Sequence, residues 1–159
     1  MLSRISGSSI ARESVMPQAL WIVVANGSRA RVFQRLQHGG SLTEIRDWVH
    51  PATRQHHQDM PQNHRQSGIR GRSGLAERSP FQDRERNTFA GEICQWLEHA
   101  LHTHEVEQIA LFSSNPFLGE LVAHGQGSLH KHLRATHAVD LTGLPPDQLE
   151  HRLRQTYGL

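Results

Sequence analysis

Apolar and polar positions alternate between short, sharply bounded segments. Trp21-Ile22-Val23-Val24-Ala25 is continuously apolar and rich in β-branched side chains, the pattern of a buried strand, and Asn26-Gly27 predicts a hairpin turn of the favoured two-residue type. Arg29 to Leu36 approximates polar/apolar alternation, His38-Gly39-Gly40 turns the chain again, and Leu42 to Val49 alternates imperfectly. Three strands joined by tight turns form an antiparallel meander. From His50 to about Gln82 no apolar face recurs. Between Asp83 and Leu101, Phe89, Ile93, Trp96, Leu97, Ala100 and Leu101 return at helical spacing. Val106 to Phe112 is an apolar run too short for a helix, and Ser113-Ser114-Asn115-Pro116 follows, with Asn115 in cap position and Pro116 where a first turn tolerates a missing N–H. Phe117, Leu118, Leu121, Val122, Leu129 and Leu133 mark the stripe of a second helix, which Gly125 and Gly127 bend or interrupt. Ala138 to Leu141 reads as a short strand, and Pro145-Pro146 opens a last helix carrying Leu149 and Leu153.

The predicted order is β-β-β-α-β-α-β-α, with no internal repeat. Antiparallel strands followed by β-α-β crossovers give an α/β fold with a five-stranded mixed sheet covered by helices, in the ribonuclease H-like order. A chain of 159 residues suits one such domain over 17–159, preceded by a disordered tail over 1–16 and interrupted by a long loop at 51–82. Met16, just before the first strand, is an alternative start. A structureless connection as long as 51–82 inside a compact domain is either functional or disordered.

Charge changes the picture little. The net charge is +2, Lys131 is the only lysine, and the basic side is otherwise arginine, whose fork suits phosphate and carboxylate. Cys94 stands alone, so an intramolecular disulfide and a cysteine-based zinc site are excluded. No apolar run has the length of a membrane span, and residues 1–15 lack the apolar centre of a signal peptide, so a cytoplasmic protein without membrane contact is expected.

In open α/β sheets ligands sit at the carboxyl ends of the strands, which makes Ser113, Ser114 and Asn115 candidate ligand contacts. A ribonuclease H-like nuclease needs clustered carboxylates to hold its metal ions. The first strand has none, the central strand ends in Ser113-Ser114-Asn115, and Asp140 alone suggests a cap or loop contact. The 13 histidines follow no metal-binding spacing, and Cys94 beside Ile93 suits a small core residue rather than a thiolate nucleophile. No catalytic residue, metal or cofactor is expected. The strongest binding candidate is Arg65, Gly68, Arg70, Gly71, Arg72 and Gly74, where glycines admit close backbone approach to a phosphate chain and guanidinium forks grip it. The alternative is a solvated loop whose arginines keep the chain soluble.

Trp21 to Phe33 (WIVVANGSRARVF), the His50-Pro51 exit, the block RERNTFAGEI from Arg84, the block FLGEL from Phe117 and the late Asp140-Leu141-Thr142 resemble the bacterial family of proteins required for attachment to host cells. The matched segments run through nearly the whole chain from Trp21. That family in turn resembles the middle domain of the archaeal and eukaryotic translation termination factor, of ribonuclease H-like fold. The resemblance implies a long loop reaching ribosomal RNA or tRNA. In the termination factor that loop carries Gly-Gly-Gln for hydrolysis of the peptidyl-tRNA ester, whereas Gln66 to Gly74 here contains no such triplet. Within the attachment family, Arg is expected after the Gly-Glu-Leu block and a proline-rich apolar turn before it, where this chain has Val122 and Ser114-Asn115-Pro116. A non-catalytic protein binding RNA or a ribosome-associated partner through its Gly/Arg loop is the leading expectation. A protein-protein interaction module acting indirectly in host attachment is the alternative, and a peptidyl-tRNA hydrolase using Gln66 comes last.

Overall fold

The computed structural model describes residues 19–36, 40–50 and 80–159. The tail over 1–16, Met16 as a start and the Gly/Arg stretch from Arg65 to Gly74 lie outside the described residues.

Strands β1 (Leu20–Asn26), β2 (Arg29–Arg35) and β3 (Thr43–Val49) form the meander, each antiparallel to the next. Helix α1 (Pro80–His102) leads to β4 (Gln108–Ser113), which lies parallel to β1. Two short helices, α2 (Phe117–His124) and α3 (Ser128–His132), then lead to β5 (Leu133–His137), parallel to β4, and α4 (Pro146–Tyr157) closes the chain. The fold is α/β, with one five-stranded mixed sheet in the order β3-β2-β1-β4-β5.

Alternation within β1 sends its side chains to two cores. Trp21, Val23 and Ala25 face Phe89, Ile93, Leu97, Phe117, Leu121 and Leu129 of the three helices on one side, while Leu20, Ile22 and Val24 face Leu149 and Leu153 of α4 on the other. Burial on both faces explains why β1 and the middle of β4 are continuous apolar runs. The three tryptophans tie the meander to α1: Trp21 stacks on Trp96 with centroids 4.9 Å apart, and Trp48 meets Trp96 edge-on at 5.0 Å.

Four sequence expectations need correction. The last strand is not at 138–141 but at Leu133–His137, so Leu133 begins a strand instead of ending a helical stripe. An edge strand needs few apolar residues, and Val139 and Leu141, which suggested the strand, pack as loop residues on the α4 core. The long loop ends before 82, because α1 starts at Pro80, an imino acid suited to a first turn. Helix α2 is preceded by Pro116 as its N-cap, without a side-chain cap from Asn115; the Asn115-Pro116 peptide is cis. The hairpin centres on Gly27-Ser28, neither with positive φ, because the Asn26 side chain itself closes the turn by accepting from the N–H groups of Ser28 and Arg29. The expected interruption of the second helix occurs where glycines stand: α2 ends at Gly125 and α3 starts after Gly127, which has φ of 82°.

Candidate binding edge at the carboxyl ends of the strands

Because β1, β3, β4 and β5 point the same way, their carboxyl ends share one edge of the sheet. Asn26, His50, Ser114 and Ala138 leave the sheet there. The first turns of α1 join them.

Asn26 occupies the centre of this edge. Besides closing the hairpin, its Nδ2 donates to Asp140 Oδ2 and Thr142 Oγ1, both at 3.0 Å. Thr142 donates its N–H to Asp140 Oδ1 at 2.9 Å and its hydroxyl to the same oxygen at 2.6 Å. Burial disfavours the Asp140 carboxylate, yet the hydrogen bonds from Thr142 and Asn26 outweigh it and hold the pKa below the ordinary value. The loop after β5 is thereby tied across β4 to β1. Arg31 extends the tie from β2, donating to the carbonyls of Thr142 at 3.1 Å and Leu144 at 2.7 Å while its fork grips Glu44.

A second network joins α1 to α2 and the hairpin. Arg86 Nε lies 3.0 and 2.9 Å from the two Glu120 oxygens, and its Nη2 donates to Glu120 at 2.9 Å and Asp83 at 3.0 Å. The hydrogen bonding to Glu120, opposed by burial, raises the Arg86 pKa above its ordinary value. Gly27 allows this approach, since a Cβ there would stand 3.1 Å from Arg86 Cδ. Beside it, His50 Nε2 lies 2.8 Å from Glu85 Oε2, its ring stacks on Phe89, and its N–H donates to Ser28 O at 2.8 Å. Phe89 in turn stacks on Phe117 of α2. A shallow pocket of about 400 Å³ opens next to these networks between α1 and α2, with Asn87, Gly119, Glu120 and His124 in its wall. There His124 Nε2 meets Asn87 Oδ1 at 2.6 Å.

The three strand-end candidates differ in access. Ser113 is wholly buried with its hydroxyl on the Ser114 carbonyl, Ser114 is half-buried, and Asn115 is exposed. Arg65, Gly68, Arg70, Gly71, Arg72 and Gly74 lie outside the described residues, but the segment that holds them leaves from His50 and returns at Pro80. Cys94 is buried against the Leu121 carbonyl, and burial, with Glu98 adding to it, pushes its thiol up to about 12. Among the described residues no group of three or more His, Cys, Asp or Glu side chains could hold a metal ion.

Glu85, Arg86 and Glu120 carry no motif of their own. They nonetheless sit inside the RERNTFAGEI and FLGEL blocks, just as Asn26, His50, Asp140 and Thr142 sit inside the other segments that suggested a family. All of these segments contribute to this one edge. The family model described as "Protein required for attachment to host cells" matches residues 21–153. The chain belongs to that family. No curated protein matches it. In this family member the matched span takes in all of the sheet but Leu20, and both polar networks.

Proposed function

We propose that this attachment-family protein is a non-catalytic, cytoplasmic binding protein of ribonuclease H-like fold, related to the middle domain of the translation termination factor. It holds RNA or a ribosome-associated partner through Arg65, Arg70 and Arg72. The strand order β3-β2-β1-β4-β5, antiparallel in its first half and parallel in its second, supports the fold assignment.

The observation that carries the reading is the mounting of the arginine-bearing segment. One end leaves from His50, fixed to Glu85 and Phe89; the other enters α1, whose first turns are fixed to α2 by the Arg86–Glu120 clamp. Binding residues on loops held by a rigid scaffold are the ordinary arrangement for recognition. A binding role fits the acids at this edge. Glu85 is engaged with His50, Asp83 and Glu120 with Arg86, and Asp140 with Asn26 and Thr142. No helix among the described residues is long and apolar enough to cross a membrane. An effect on host attachment then follows indirectly, through what the bound RNA or ribosome does.

Co-sedimentation with ribosomes at low and moderate salt tests the reading. Phosphate contacts release counterions, so association should fall steeply as salt rises, and Arg70→Ala/Arg72→Ala should abolish it. Failure of the wild-type protein to follow ribosomes at any salt, or equal sedimentation of the double mutant, overturns it.

A further inference from the structure

Gly119 lies inside α2 with no internal reason to be glycine. Its φ is not positive, and a Cβ built on it would meet nothing within 4 Å among the described residues. A glycine inside a helix costs stability relative to alanine, and alanine would fit here without a clash. The open space over Gly119 is the pocket of about 400 Å³ between α1 and α2. Pro116, Gly119 and Ala123 give it small apolar walls, and Asn87, Glu120 and His124 give it polar ones.

The polar groups are fixed in place but not used up. Asn87 Oδ1 is taken by His124 Nε2 at 2.6 Å, so the Asn87 amide keeps both of its N–H donors without an acceptor among the described residues. Glu120 Oε1 accepts from Arg86 Nε and Nη2, whereas Oε2 accepts from Nε alone and retains a lone pair. Arg86 also offsets the charge of Glu120, which lets an anionic chain come near. A pocket with a free donor and a free acceptor beside small apolar walls matches a flat ring whose edge carries both kinds of group. Its volume stands low in the range of small-ligand pockets, about 300–1,000 Å³, which suits a single heterocycle.

We propose that this pocket takes one unpaired nucleobase of a bound RNA, with the ring against Gly119 and Ala123 and the polar edge on Asn87 and Glu120. The assignment rests on the RNA reading above and deepens it. Phosphate contacts hold a strand in place without reading its bases, and a base pocket supplies that second function. Proteins read RNA mainly through bases splayed out of the stack, so the pocket selects single-stranded segments over duplex.

The test is a binding titration of the full chain against a short fluorescein-labelled single-stranded RNA and against the same ribose-phosphate chain without bases. The wild type should hold the base-bearing strand about 5- to 100-fold more tightly, the worth of one stacked base. Gly119→Leu fills the pocket from an open helix position and replaces glycine by a better helix former, so its urea midpoint should not fall. It should bind both strands alike, at the affinity and salt dependence that the wild type shows for the chain without bases. Asn87→Ala, which removes the donor and leaves the pocket open, should lose part of the preference. An unchanged preference in Gly119→Leu, with RNA still bound, overturns the base pocket and leaves the RNA reading standing. A wild type that binds neither strand overturns the base pocket together with the RNA reading. If Gly119→Leu loses ribosomes but keeps the wild-type preference between the two strands, the pocket takes a protein instead, and the base assignment falls.

Discussion

Arg86 closes the candidate edge with a single guanidinium, and the consequence of losing its partner is measurable. Glu120→Gln keeps the shape of the side chain and removes its charge, leaving a mostly buried cation with Asp83 as its remaining ion-pair partner among the described residues. Breaking such a partly desolvated pair costs about 1–3 kcal/mol. Urea unfolding should show a lower midpoint with an unchanged slope. Asp140 predicts a pH effect of definite sign. Its folded pKa lies below the unfolded one, so its contribution is fully present above the ordinary carboxylate range and is lost as the pH falls through the folded value. Asp47, lowered chiefly by its hydrogen bond to Arg29, acts in the same direction. Stability measured from pH 6 downward should therefore decline less steeply in Asp140→Asn, below about pH 4, than in the wild type.

Elements were legible in the sequence to the extent that their apolar pattern was local. β1 and β4, buried on both faces, and α1, with a stripe from Phe89 to Leu101, show their burial directly in residue order. β5 does not, because an edge strand paired on one side only carries Arg134 and Thr136 outward, whereas the apolar Val139 and Leu141 belong to a loop. The break between α2 and α3 was legible as two glycines, and these serve different purposes. At Gly125 the backbone is ordinary, but a Cβ would lie 2.5 Å from Leu129 Cδ2 and 3.1 Å from the Leu121 carbonyl, so Gly125→Ala overpacks the helix junction. At Gly127 nothing lies near a new Cβ, yet φ of 82° with ψ of −123° disfavours any L side chain. Each substitution should cost about 1–3 kcal/mol. Enlarging the pocket for a Cβ by Leu129→Ala should reduce the cost of Gly125→Ala in a double-mutant cycle and leave that of Gly127→Ala unchanged.

At the scale of the whole molecule, the chain closes a segment of 29 residues, 51–79, between two points that the fold holds together, since His50 on one side contacts Glu85 on the other at 2.8 Å. The partners in these networks are 34 and 35 residues apart, so no local pattern announces them; only their placement inside family-like blocks did. The same closeness makes the segment removable. Its sequence has no periodic apolar face to contribute to a core, and a linker of about six Gly and Ser residues can span anchors so near each other. Replacing 53–78 with such a linker should leave cooperative unfolding intact. It should even raise stability by about 1 kcal/mol, because a shorter loop costs less entropy to close. Ribosome association should disappear in the same protein if Arg65, Arg70 and Arg72 provide it. Folding without association locates recognition in the segment and the scaffold function in the sheet edge. Retained association would move recognition to the exposed Asn115 and the pocket between α1 and α2, and loss of cooperative folding would mean that the segment contributes packing its sequence does not reveal.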